Sequence, residues 1–192
     1  MLLYTRPNEK PAAPPDVQAK TWKVLKVETT PAYAVMGYGY HHTAFRAASI
    51  NADGSLVAAT LYPTSKLALR NAAGMMTYLD FPYAPWAVQV NKAGDRLVAI
   101  DVVAGVTYCY AVENAGTSVR KLWSFARAQT NDVSVTDTHV YVLSYSGSVK
   151  LDWAGNKVKE LADTAGRTIA ANGRFVAIGS EANTRLYDTD FN

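Results

Sequence analysis

The sequence is short of the side chains from which most catalytic and metal sites are built. Its 192 residues include one cysteine and three histidines. A lone Cys109 excludes an internal disulfide and a thiolate zinc cage. Its setting, Val106-Thr-Tyr-Cys-Tyr-Ala-Val112, reads as a small buried filler. His41 and His42 are adjacent, so in an extended strand they point to opposite faces and do not share an ion. His139 stands apart, with no acidic cluster at ligand spacing. No metal site and no cofactor is expected. Gly-x-Ser-x-Gly elbows are lacking, and the serines fall in turns or polar strand positions. Gly37-Tyr38-Gly39-Tyr40 has two glycines but no following helix, which argues against a phosphate cradle. No catalytic residue is expected, and the protein reads as a non-enzyme.

Charge and long apolar runs are also scarce. Charged residues make up 18%, the formal net charge is +3, and no block of like charges occurs. That pattern does not make a nucleic-acid groove. No run approaches the roughly 18 apolar residues that cross a membrane. Met1-Leu2-Leu3-Tyr4 is cut off by Arg6 and Pro7, too early for a secretory signal. Helical periodicity of useful length is absent as well. The expected partners are therefore other proteins, not nucleic acid and not a membrane.

What is present is 49% apolar residue content, enough for one domain with a substantial core. Residues 1–20 differ from the rest: Pro7, Pro11, Pro14 and Pro15 lie among Asn8, Glu9, Lys10 and Asp16. Such a segment favours extended conformations and has no core of its own. It reads either as a disordered leader or as an arm that orders along a neighbouring subunit. Thr21–Thr30 reads as a strand, with Trp22, Val24 and Val27 among Lys23, Lys26 and Glu28.

From residue 44 onward one unit recurs. Ala171-Asn-Gly-Arg-Phe-Val-Ala-Ile-Gly-Ser180 reads as a turn at Asn172-Gly173, suited to positive φ at both centres. A continuous apolar strand, Phe175–Ile178, follows, of the kind covered on both faces. Equivalent positions Ala58, Ala99, Val142 and Ala177 recur at intervals of 41, 43 and 35 residues. A period near 40 with four short strands per copy indicates an all-β propeller of about four blades. The expected domains are an arm at 1–20 and a propeller at 21–192. Its blades run about 44–81, 86–125, 130–161 and 167–192, the last joined by strand 22–28. Asp53, Asp95 and Asp137 fall at equivalent hairpin turns, where a carboxylate caps backbone N–H groups without any catalytic role.

Asp53-Gly-Ser-Leu-Val-Ala58, Gly173-Arg-Phe-Val-Ala-Ile-Gly-Ser180 and Leu186-Tyr-Asp188 resemble the blade pattern of WD-repeat-like propellers. Ser146-Gly-Ser-Val-Lys-Leu-Asp152 with Gly155-Asn-Lys-Val158 is similar to quinoprotein-type blades. The Gly-His and Trp-Asp dipeptides of true WD repeats are missing, as is the regular blade-ending Trp apart from Trp123. The same blade flavour, with a proline-rich arm, resembles accessory proteins of tailed-phage virions. That resemblance implies a structural protein of head, neck or tail anchored by residues 1–20, located in the virion if the chain is viral. The alternative is a glycan- or peptide-binding module of a cellular protein.

The fourth copy lacks an outer strand, and Trp22–Glu28 has the composition to supply it beside Thr184–Asp188. The competing expectation is a half-ring completed by a second chain, a homo-oligomer, or an arc of a longer propeller. The candidate binding surface is the aromatic mouth formed by Tyr38, Tyr40, His41 and His42 with Tyr83 and Trp86, because blade connections emerge there and Tyr gives large contact area at low entropic cost.

Overall fold

A computed structural model describes residues 45–61, 64–162, 166–180 and 183–192. The strand expected at 22–28, and Tyr38, Tyr40, His41 and His42, lie outside the described residues. Four antiparallel meanders follow one another. The first is β1 (Phe45–Ile50), β2 (Leu56–Leu61), β3 (Lys66–Asn71) and β4 (Met76–Asp80). The second is β5 (Ala87–Val90), β6 (Arg96–Asp101), β7 (Val106–Glu113) and β8 (Ser118–Ala126). The third is β9 (Thr130–Val135), β10 (His139–Ser144), β11 (Gly147–Asp152) and β12 (Lys157–Ala162). The fourth has three strands, β13 (Thr168–Ala171), β14 (Phe175–Gly179) and β15 (Thr184–Asp188). These are four blades of a β-propeller, and no helix among the described residues is long and apolar enough to cross a membrane.

Turn chemistry sets the registers. Asn51 Oδ1 accepts the Leu56 N–H at 2.9 Å while its amide donates to Asp53 Oδ1 at 2.8 Å. The second blade repeats this with Asn91, whose Oδ1 accepts the Arg96 N–H at 3.0 Å and whose amide donates to Asp95 Oδ1 at 2.7 Å. Hydrogen bonds from Ser55 hold the Asp53 carboxyl below its usual range. In the third blade a hydroxyl takes over: Thr136 Oγ1 accepts the His139 N–H at 3.1 Å. Neither Asn172 nor Gly173 adopts positive φ. Asn172 Oδ1 instead accepts the N–H groups of Arg174 and Phe175, an Asx closure that makes the left-handed turn unnecessary.

Each blade is sandwiched against the next by one apolar cluster. Leu56, Ala58, Leu67 and Leu69 of the first blade meet Val88, Val90, Leu97 and Ala99 of the second. Val98, Ile100 and Cys109 meet Val133, Val140, Val142 and Val149 across the next interface. Tyr141 and Leu143 meet Ile169, Val176 and Ile178 across the third. Burial pushes the Cys109 thiol up to about 12, as suits a filler. Inner strands are also tied laterally: Ser49 Oγ accepts the Val90 N–H at 2.9 Å and Ser134 Oγ the Ala171 N–H at 2.8 Å. Asp132 Oδ2 accepts the Ile169 N–H at 2.8 Å, and burial raises this carboxyl despite that bond.

The stack has one asymmetry. The expectation that Phe175–Ile178 is covered on both faces holds for only one. Val176 and Ile178 are buried, whereas Phe175 is exposed and Ala177 half-buried. The reason is that, among the described residues, the fourth blade has a blade packed on one side of it. Among the described residues no apolar cluster joins it to the first blade.

Candidate interaction face

The blades share two ends. At one end lie the blade-to-blade connections and the hairpins between second and third strands. Tyr83 and Trp86 sit here, on the connection from β4 to β5. Trp86 N–H donates to Ile100 O at 2.7 Å, and Tyr83 N–H to Asp101 Oδ2 at 3.1 Å. Asp101 is fully buried and its other oxygen accepts the Ala104 N–H at 2.9 Å. Both oxygens are thus committed to backbone, which fixes the loop under Tyr83 and leaves no free base there.

The same end continues around the arc. Arg127 N–H donates to Gly105 O at 2.8 Å. A side chain at Gly105 (φ +65) would come within 3.1 Å of Arg127 O, so this close approach requires glycine. The Arg127 guanidinium donates to Ser144 Oγ at 2.8 Å and to Glu160 Oε1 at 2.7 Å. The bond from Lys157, with the one from Arg127, holds the Glu160 carboxyl below its usual range. Tyr145 N–H donates to Gln129 O at 3.3 Å, and the Arg167 guanidinium lies 5.7 Å from the Tyr145 ring centroid with Nη1 3.3 Å from its hydroxyl. Asn131, at the start of β9, donates to Gly166 O at 3.0 Å, while its own Oδ1 is buried without a partner.

This end therefore carries Tyr83, Trp86, Val103 and Tyr145 as exposed large apolar groups, interspersed with Arg127 and Arg167. Rings with one polar edge, fixed by backbone hydrogen bonds, suit contact with peptide or sugar surfaces. No cluster of three or more His, Cys, Asp or Glu among the described residues is arranged to hold a metal. The opposite end carries a groove of about 450 Å³, lined by Leu56, Asn71, Met75, Val112 and Ala115 among others. Its polar groups are used internally: Asn71 Oδ1 accepts the Met75 N–H and its amide donates to Ala115 O.

Of the residues expected at the mouth, Tyr83 and Trp86 fall on one connection. Tyr145, Arg167, Arg127 and Val103 were not anticipated. Val103 carried a local signal: it follows Asp101 at the end of an apolar strand, which marks a hairpin. Tyr145 and Arg167 had none, since 22 positions separate them and only the stacking of the third and fourth blades brings them together.

No family model matches the chain, and no curated protein sequence matches it. Solved structures do. The β-propeller domain of Cps50 (Swd1) from Myceliophteria thermophila superposes with a TM-score of 0.60 at 12% identity, over 73% of this chain and 52% of that one. A chain of the mitotic checkpoint complex gives 0.63 at 18% identity, over 74% and 47%. Kuenenia stuttgartiensis hydrazine synthase gives 0.64 at 11% identity, over 79% and 49%. The chain spans about half the length of these structures. At such identities the likeness establishes the fold alone, and one of the three bears an enzyme's name.

Proposed function

We propose that this chain is a non-enzymatic propeller module that binds other proteins through its connection end. The observation that carries this reading is the Tyr145–Arg167 pair, continued along the same end by Tyr83, Trp86 and Val103. Aromatic rings and arginines in this mixture are the groups that anchor interfaces. Asp101, the carboxylate beneath them, is spent on backbone N–H groups and offers no reacting base. The test is a pull-down with the wild-type chain from its native source, repeated with Tyr145→Ala and Arg167→Ala. Partners retained equally by all three proteins would overturn the reading.

Within that reading, the narrower role is an accessory component of a tailed-phage virion, held by residues 1–20. Its support is the blade motif Asp53–Ala58, the Leu186-Tyr-Asp-Thr189 ending and the proline-rich arm. A chain lacking residues 2–20 should fail to enter particles while keeping its fold. The alternative is a glycan- or peptide-binding module of a cell, favoured by the exposed Tyr145 ring beside a cation. A glycan array on which Tyr145→Ala abolishes a positive signal would select it.

A further inference from the structure

Asn172-Gly173 is the one Asn-Gly pair in the sequence, and it forms the turn between β13 and β14. Both residues are exposed, and nothing lies within 4 Å of the place a side chain at Gly173 would occupy. Asn172 N–H donates to Phe175 O at 3.0 Å and closes the turn. Asn172 Oδ1 accepts two further backbone N–H groups, from Phe175 at 2.9 Å and from Arg174 at 3.1 Å. Among the described residues neither the side-chain amide nitrogen of Asn172 nor the Gly173 N–H makes a hydrogen bond.

The asparagines at the equivalent turns of the first two blades are held differently. Asn51 and Asn91 use Oδ1 in the same way, toward the N–H groups of Leu56 and Arg96. Their amides, however, donate to Asp53 and Asp95, and both asparagines are buried. The residues that follow them, Ala52 and Lys92, carry a Cβ, and Ala52 N–H is engaged with Lys92 O at 3.2 Å. Of these three turns, the one at Asn172 combines an uncrowded backbone nitrogen, an untethered amide and two donors on the side-chain oxygen.

We propose that Asn172 is a site of spontaneous deamidation, in which the Gly173 backbone nitrogen attacks the Asn172 side-chain carbonyl. Solvent base takes the Gly173 N–H proton as a bond forms from that nitrogen to Cγ. The bond from Cγ to Nδ2 then breaks, and Nδ2 takes up a proton and leaves as ammonia. Water opens the resulting succinimide at one of its two carbonyls. The product is aspartate at this position, or isoaspartate with the main chain routed through the former side chain. Negative charge in the tetrahedral intermediate gathers on Oδ1, where the N–H groups of Arg174 and Phe175 already point. Nucleophile and carbonyl belong to neighbouring residues, so the attack is intramolecular. Glycine adds no Cβ to crowd the closing ring.

The two products differ in consequence. Aspartate keeps an acceptor at Oδ1 and so preserves the turn. Isoaspartate adds a main-chain carbon inside the Asn172–Phe175 closure and disturbs the register of β13 on β14. Val176 and Ile178, which β14 buries against the third blade, depend on that register. The turn lies beyond β13 from Arg167, so the conversion takes place away from the connection end.

The experiment incubates the full-length chain at neutral pH beside a synthetic peptide of residues 168–178, with peptide mapping by mass spectrometry. Amide-to-acid conversion is expected at Asn172 before any other asparagine, and at least as fast in the folded chain as in the peptide. Part of the product should accept a methyl group from an isoaspartyl-specific methyltransferase. Asn172→Asp should keep the circular dichroism spectrum of the wild type. Gly173→Ala should keep it too, and should slow conversion at least about tenfold, equivalent to about 1.4 kcal/mol in the barrier. Slower conversion in the folded chain than in the peptide, earlier conversion of another asparagine, or an undiminished rate in Gly173→Ala would each overturn the proposal.

Discussion

Lys150 Nζ lies 2.6 Å from Asp190 Oδ1, which ties the middle of the third blade to the residues following β15. The lysine side chain is only 5% exposed, whereas the aspartate is open to water. Among the described residues Asp190 is the ion-pair partner of this ammonium, and that contact holds the Asp190 carboxyl below its usual range. Removing the acid strands a buried charge, while removing the lysine leaves a solvated one. Asp190→Ala should consequently lower the thermal midpoint more than Lys150→Met does. Equal losses in differential scanning calorimetry would contradict this ranking.

Asp188–Asn192 copies the turn at Asp152–Asn156. Asp152 Oδ1 accepts the N–H groups of Ala154 and Asn156, and Asp188 Oδ1 accepts those of Asp190 and Asn192. Gly155 takes the left-handed position in one turn at φ 89 and Phe191 takes it in the other at φ 61. Phe191 tolerates it because its ring is buried edge-on against Tyr141, with centroids 5.7 Å apart. Phe191→Ala should cost about 3 kcal/mol, the low end for a truncated buried Phe. Phe191→Gly loses the same ring but regains about 1 kcal/mol of backbone strain. Urea denaturation of both separates packing from strain, and a glycine variant less stable than the alanine one would reverse the assignment.

Two glycines of similar appearance in the sequence should behave differently. Gly147 lies at φ 130, and a side chain there would run into the backbone carbonyl of Leu161 on β12, which cannot yield without breaking the sheet. Gly147→Ala should therefore cost at least about 2 kcal/mol. Gly173 has ordinary φ and open space around its α-carbon, so Gly173→Ala should stay within about 0.5 kcal/mol of wild type. A tolerant Gly147 would mean that β11 and β12 pair more loosely than their register indicates.

The blades were legible because their determinants are local. Ala58, Ala99 and Val142, picked out by spacing alone, are all fully buried in second strands. The matching Asn51–Leu56 and Asn91–Arg96 closures, however, align Ala58 with Val98 and Ala59 with Ala99, one position from the spacing read in the sequence. Phe175 shows where that reading fails. Four consecutive apolar residues look alike whether one face or two are covered, and only the position of the blade in the stack decides. Asn172-Gly173 misled for a related reason. The pair permits positive φ, but the Asn side chain also closes a turn without it, and sequence does not rank the two. Tyr145 and Arg167 belong to different blades, so their meeting depends on how those blades stack.

The pH dependence of stability should have two separated limbs. Asp53, Asp152, Asp188, Asp190 and Glu160 are all held below their ordinary values by hydrogen bonds. A depressed carboxylate contributes stability above its unfolded value and loses it as pH falls through the folded one, so the acid limb begins only below pH about 4. Asp132 works the other way. Burial raises it, so its protonation on the approach to pH 4 favours the folded chain and sharpens the shoulder. At the alkaline side, burial lifts the Cys109 thiol and the Tyr110 phenol to about 12. Such groups contribute stability below their unfolded values, 9.0 and 10.0, and lose it as pH rises toward the folded ones. Burial also holds His139 below its usual range, so this group loses stability as pH falls below about 6.5. Thermal midpoints measured from pH 2 to pH 12 should thus stay level between about 7 and 9, with a shallow step below that and the main acid limb below about 4. A steady decline on raising the pH from 7 to 9 would show that these groups do not govern the stability of the stack.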